Sequence, residues 1–328
     1  MGVQMDGGIG SCDFGHMSEI NIREQIFSFP EHASFSLKAE IPEVPSTRKV
    51  CVFSFGYSTT AADILSAHAD TYSDRHVPVI EDSRVPGWID GSTVAIILSY
   101  DGTEKDILSL YDSLGRIGCH RICITSGGDL ADMASRDSVS LVRLPHGMTA
   151  RSCTGYMLGV LCSLIQSMGV CPAADRLREE IPAIEAYRDA LLESNLPIEI
   201  ASDLSDGIPA VYGTSDLRAA FRRWKMNVNE DLSRRAFYGE LPEFDHNELV
   251  GWFDENPHAP ELRVIVLKGR TGSDLLDFIV ENMVDILNCE GRPVITVDLE
   301  GDDPLYKASC GVLLGEAVTS VMRRRCSP

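Results

Sequence analysis

From Thr93 to Asp106 the chain reads TVAIILSYDGTEKD. A short apolar run ends in a Ser-Tyr-Asp-Gly turn and passes into EKDILSLYDSLGRIG, which has helical spacing. A continuous apolar run of this length, feeding directly into a helix, marks a strand covered on both faces, as in a parallel sheet. The pattern recurs in both directions. Upstream lie VCVFSFG (50–56), TAADILSAHADTY (60–72) and VPVIE (77–81); downstream lie RICITSGG (121–128), LADMAS (130–135) and VSLVRLP (139–145). Strands alternating with helices predict an α/β domain with a doubly wound parallel sheet.

Farther out the same alternation starts again. Two helical stretches, TGYMLGVLCSLIQSMG (154–169) and ADRLREEIPAIEAYRDALLESN (174–195), read as a covering helix and a connector. IPAVYG (208–213), RVIVLKG (263–269), SDLLDFIVENMVDILN (273–288), PVITVDL (293–299) and KASCGVLLGEAVTSVMRRR (307–325) then form a second α/β series. The expected organisation is a leader and N-terminal helical segment over 1–48, a first domain over 49–170, a helical connector over 171–204 and a second domain over 205–328. Residues 1–16 are Gly-rich and without periodicity, so GGIGS (7–11) reads as part of a disordered leader and not as a nucleotide loop.

Composition narrows the function classes. The 328 residues carry a net charge of −20, which disfavours nonspecific binding to nucleic acid or to anionic membranes. The longest apolar runs are too short to span a bilayer, and the N-terminus lacks a basic-then-apolar signal pattern. A cytoplasmic protein is expected. The ten cysteines are scattered through apolar segments and read as reduced core thiols. CHRIC, with Cys119, His120 and Cys123, has loose ligand spacing and no second cluster to complete a tetrahedral set, so neither a metal nor a cofactor is expected.

In open parallel sheets, ligands gather where strand ends feed helix starts. FSFGYSTTAAD, LSYDGTEKD and ITSGGDLAD have that form, and their hydroxyls and backbone amides suit an anion; Ser and Thr at such places also serve as simple helix caps. LSYDGTEKD is unusual because Asp101, Glu104 and Asp106 put three carboxylates where an anion would sit.

Several longer stretches carry a resemblance: VPVIEDSRVPGW, VRLPHGMTARSCTGYMLG, GIPAVYGTSDLRAAFRRWKMNVNEDLSRRAF and GELPEFDHNELVGW. Together they resemble the bifunctional phosphoglucose/phosphomannose isomerases, enzymes of two sugar-isomerase (SIS) domains. The resemblance extends from about Ile22 to Thr319. It implies aldose–ketose isomerisation of hexose 6-phosphates through a cis-enediol, on a homodimer with shared active sites and with no cofactor. Glu230 in NVNED matches the base that carries a proton between C1 and C2. His246 in DHNEL matches the group that opens the sugar ring and reaches the site of the other subunit. Arg151 in MTARSCTGY matches the arginine that stabilises the enediolate. As isolated residues, Glu230 could face solvent, His246 could be a core hydrogen-bonder and Arg151 could pair with a surface acid.

The departures from the family are equally definite. The first family loop reads G-M-G-G-S, whereas here Ser54, Phe55, Gly56, Tyr57 and Ser58 stand in its place; only Gly56 and Ser58 match. The second reads S-Y-S-G-N-T, and here Ser99 is kept while Asp101 and Glu104 replace the other two hydroxyl positions. A local shift would let Thr103 take the threonine's role. The family's C-terminal lysine has no match: Lys307 lies too early, and Arg323 to Arg325 supply charge without residue correspondence. These changes leave a second reading, an SIS protein with impaired turnover that binds a sugar or sugar phosphate in a regulatory role.

Overall fold

The structure is a computed structural model and describes residues 2–4, 19–45, 49–252, 262–289 and 294–326. GGIGS (7–11) lies outside the described residues. The chain divides into two compact units, residues 1–181 and 182–328.

The first unit is built on six strands: β1 (Gly2–Gln4), β2 (Lys49–Ser54), β3 (Val79–Ile80), β4 (Thr93–Leu98), β5 (His120–Thr125) and β6 (Ser140–Arg143). They lie in the order β1-β6-β5-β4-β2-β3, and every adjacent pair is parallel. All six residues of β4 are buried, as the unbroken apolar run requires of a strand covered on both faces. Its register is set on both sides, Ile96 opposite Val52 of β2 and Ile122 of β5. Gly2–Gln4 pairs with Leu141–Arg143 at the sheet edge. The segment read as a disordered leader therefore begins with a strand, because parallel pairing satisfies backbone groups whatever the side chains are.

Among the described residues six helices accompany this sheet: α1 (Glu19–Phe27), α2 (Phe29–Ser36), α3 (Thr59–Tyr72), α4 (Lys105–Ile117), α5 (Gly128–Arg136) and α6 (Thr154–Ser167). Helix α4 is strongly amphipathic: Ile107, Leu110, Tyr111 and Leu114 are buried in a core shared with β4, β5 and α5. It stops at Gly118, whose φ of 78° gives the left-handed cap that an L side chain resists. Helix α6 is apolar nearly all round and packs against α2 and α3. Glycines on α6 let α2 approach: a Cβ on Gly155 would lie 2.3 Å from the Phe29 carbonyl oxygen, and one on Gly159 would lie 2.0 Å from Ser36 Oγ.

Helix α7 (Ala173–Glu193) contains the division between the units, at Ile181 and Pro182, and α8 (Leu196–Asp203) follows. The second unit has four parallel strands in the order β10-β9-β7-β8. They are β7 (Ile208–Thr214), β8 (Phe237–Leu241), β9 (Leu262–Lys268) and β10 (Val294–Asp298). The helices are α9 (Arg218–Asp231), α10 (Glu243–Asn247), α11 (Asp274–Cys289) and α12 (Pro304–Cys326). Val264, Val266, Val280, Met283 and Leu287 form much of the core on one face of the sheet. On the other, α9 runs alongside α12. Trp224 donates its indole N–H to the Gly311 carbonyl over 2.8 Å, and a Cβ on Gly315 would strike its ring at 2.3 Å.

Candidate active site

In the first sheet β2 is flanked by β3 on one side and β4 on the other, so the strand order reverses at β2. The carboxyl ends of β2 and β4 therefore border the crevice where a doubly wound sheet takes its ligand. The loops at that point are Phe55–Ser58 and Ser99–Glu104, the two in which the chain departs most from the expected pattern.

After β2, Gly56 adopts a φ of 56° with open space where a side chain would stand. The glycine is needed there for its conformation. It opens a single 3-10 turn, Gly56–Ser58, which runs straight into α3. Ser58 is buried at that junction. Ser54 Oγ and Thr59 Oγ1, on either side of the turn, are buried without a hydrogen-bond partner among the described residues. Sequence reasoning passed over Ser54 and Thr59 as functional hydroxyls. Their position between strand and helix was visible, but their missing partners were not.

After β4, the Ser99 hydroxyl accepts the Gly102 amide at 3.0 Å and donates to Glu104 Oε2 at 2.5 Å. Its one proton is spent within the loop. Glu104 is the residue before α4 and turns back toward Ser99; Thr103 is exposed. Burial, and then the neighbouring Glu104, push the Asp101 carboxyl above the usual carboxylate range. A third loop braces this one. The Ser126 amide and hydroxyl and the Thr125 hydroxyl all donate to the Tyr100 carbonyl, and the Leu130 amide donates to that of Gly102. Gly102 and Gly128 have φ of 66° and 69°, and a Cβ on either would come within 2.3 Å of the facing loop's backbone. Ser58, Ser99 and Ser126 thus stand at the carboxyl ends of β2, β4 and β5, three neighbouring strands.

Arg151 comes from the turn before α6. The Tyr100 hydroxyl donates to the Pro145 carbonyl at 2.9 Å and accepts the Met148 amide at 2.8 Å, pinning the start of the approach to Arg151. Thr154 Oγ1 bonds the Arg151 carbonyl at 3.0 Å, and Ser152 Oγ donates to Gln25 Oε1 at 3.1 Å. The Arg151 guanidinium carbon lies 5.8 Å from the centroid of the Tyr57 ring. Tyr57 therefore directs its face toward a cation.

The other two residues lie in the second unit. Glu230 is the penultimate residue of α9 and His246 lies on the short α10; both are exposed. Burial raises the Asp245 carboxyl, with the His246 charge opposing. Helix α9 is held by a fully buried ion pair, Arg223 Nε to Glu316 Oε1 at 2.7 Å, each side chain 1% exposed. Lys307 is also buried: it pairs with Asp216 and donates to the Arg270 carbonyl at 2.5 Å, tying together the segments that follow β7 and β9. Cys119 and Cys123 are buried free thiols, the latter pushed by burial up to about 12. Among the described residues no three His, Cys, Asp or Glu side chains are grouped to hold a metal.

Residues 193–322 match the bacterial phospho-glucose isomerase C-terminal SIS domain, and both Glu230 and His246 fall inside that match. A bifunctional phosphoglucose/phosphomannose isomerase from Caldicellulosiruptor bescii is 28% identical over 71% of this chain and 70% of its own. One of the same name from Aquifex aeolicus is 31% identical over 56% of this chain and 54% of its own. The chain is similar to these isomerases over more than half of its length. Its fold is that of SIS proteins: the C-terminal domain of glucosamine-fructose-6-phosphate aminotransferase from Francisella tularensis superposes with a TM-score of 0.72 at 13% identity, covering 96% of this chain and 98% of that one. The acidic loop and Tyr57 lie on the first unit, and Glu230 and His246 lie on the second.

Proposed function

We propose that the protein interconverts an aldose 6-phosphate, glucose 6-phosphate or mannose 6-phosphate, with fructose 6-phosphate through a cis-enediol. The observation that carries this reading is the family match with Glu230 and His246 inside it. His246 protonates the ring oxygen while the anomeric hydroxyl loses its proton, opening the ring; an imidazole can hold either form near neutral pH. Glu230 removes the C2 proton of the aldose, and the electron pair left on C2 becomes the enediol double bond as the C1 carbonyl oxygen takes on negative charge. Glu230 then returns the proton to C1 while the C2 hydroxyl proton passes to the C1 oxygen, leaving the C2 ketone. Arg151 supplies fixed positive charge to that oxygen. Gly56, Ser58, Ser99 and Thr103 are the substrate-binding positions on the first unit. The unpartnered hydroxyls of Ser54 and Thr59 favour a polyol ligand, because a buried unsatisfied group costs about 1–3 kcal/mol that sugar hydroxyls would offset. The protein works as a cytoplasmic homodimer, His246 completing the site of the second copy. No helix among the described residues is long and apolar enough to cross a membrane.

The Ser99–Glu104 bond supports a second reading, a sugar-binding SIS protein with impaired turnover, since a serine donating to a carboxylate does not also donate to a phosphate. Incorporation of solvent deuterium at C2 of the sugar phosphate separates the two. The isomerase reading requires exchange in the native protein and a fall of about 10²–10⁴-fold in Glu230→Gln. Absence of exchange, with thermal stabilisation by phosphorylated, neutral or amino sugars, would establish the binding protein instead.

A further inference from the structure

Tyr57 and Arg151 come from two helix starts with little freedom of their own. Tyr57 is the middle residue of the 3-10 turn that begins at the positive-φ Gly56 and continues into the buried start of α3. Arg151 sits in the turn ahead of α6, whose first residues are tied down through Ser152 and Thr154. Helix α6 packs against both α3 and the Tyr57 turn. Both side chains are half-buried, and the guanidinium carbon is 5.8 Å from the ring centroid. Ring and cation thus meet across elements that packing holds in place.

We propose that Tyr57 is a positioning residue for Arg151, its ring face holding the guanidinium where charge develops on the substrate oxygen. This rests on the role given to Arg151 above. A ring engages the flat face of a guanidinium and leaves its N–H edge to other partners. The contact also limits the rotamers of a long side chain, so less ordering is left for the moment of reaction. A tyrosine at a glycine position thereby becomes part of the machinery.

The test replaces Tyr57 with phenylalanine and with phenylalanines carrying one, two and three ring fluorines. Fluorination drains the ring's negative face while changing its size little, and the hydroxyl is absent throughout the series. Turnover should fall stepwise with fluorine number, with KM changing less than kcat, and Tyr57→Leu should lose roughly 2–30-fold relative to Tyr57→Phe. In parallel, the rate at which phenylglyoxal modifies Arg151, read by peptide mass spectrometry, should rise along the same series. That second measurement needs no substrate. If the native protein has no isomerase activity, the functional reading fails while the modification series still decides the contact. Flat modification rates overturn the proposal, and so does a flat kcat in an active enzyme.

Discussion

Ser99 has a single hydroxyl proton, and in this fold it goes to Glu104. The acidic loop is thus an internally bonded turn, with Asp101 alongside, its carboxyl pushed upward by partial desolvation and by Glu104. Two unit charges about 4 Å apart interact by roughly 4 kcal/mol at an effective dielectric of 20, more than the 0.3–2 kcal/mol a helix N-terminus offers an anion. Phosphate would therefore bind here against the local field. Changing Asp101→Ser and Glu104→Thr together should tighten fructose 6-phosphate at least about tenfold, or 1.4 kcal/mol, while leaving fructose nearly unaffected. The gain should be larger at low salt, since exposed charges are screened over about 10 Å at 0.1 M. Calorimetric titration with both sugars checks this; equal affinities before and after would show that phosphate never meets these carboxylates.

Helix packing makes two further predictions. Along α9 and α12, Ala220 meets Gly311, Trp224 meets Gly315, Arg223 pairs with Glu316, and Asn227 Nδ2 reaches Thr319 Oγ1 at 3.5 Å. The partner numbers rise together, so the helices run parallel. Glu316→Gln leaves the Arg223 charge buried without its counter-ion and should cost about 3–5 kcal/mol in denaturant unfolding. Arg223→Met with Glu316→Leu removes both charges and should cost far less; a double variant as unstable as the single would refute the ion-pair account. At the α2–α6 contact, His32 stacks on Tyr156 with centroids 4.3 Å apart. Burial, opposed by Glu31 and the Ser152 backbone, lowers its pKa to about 4. A depressed folded-state pKa means the unfolded chain binds the proton more readily. The stabilisation, about 3 kcal/mol, is thus complete above the unfolded value of 6.5 and lost as pH falls toward 4. Thermal melts across that window should show the decline, and His32→Gln should flatten it.

At the scale of the whole molecule, the proposed dimer carries its own arithmetic. If His246 serves the site of the second copy, mixing Glu230→Gln with His246→Gln should restore about a quarter of native exchange. Random assortment in a two-fold dimer makes half the dimers mixed, each with one intact site. The subunits would be mixed under denaturing conditions and refolded. No recovery, alongside a dimeric mass by sedimentation, would place both groups on one chain.

The α/β class was legible in TVAIILSYDGTEKD and its repeats because strand burial on both faces demands unbroken apolar runs, and helix amphipathicity demands a different period. Glu230, His246 and Arg151 stand out in the sequence because they lie in long contiguous motifs. Residues that work across the sheet were not. That Gly2–Gln4 pairs with β6, that Glu104 turns back to Ser99, that Tyr57 reaches Arg151 and that Lys307 is sealed against Asp216 all depend on segments distant in the chain or on a side-chain direction after a turn. Local sequence determines period, propensity and charge. Which proton a hydroxyl shares, and which face of a ring meets a cation, is decided only when packing has brought the partners within a few ångströms.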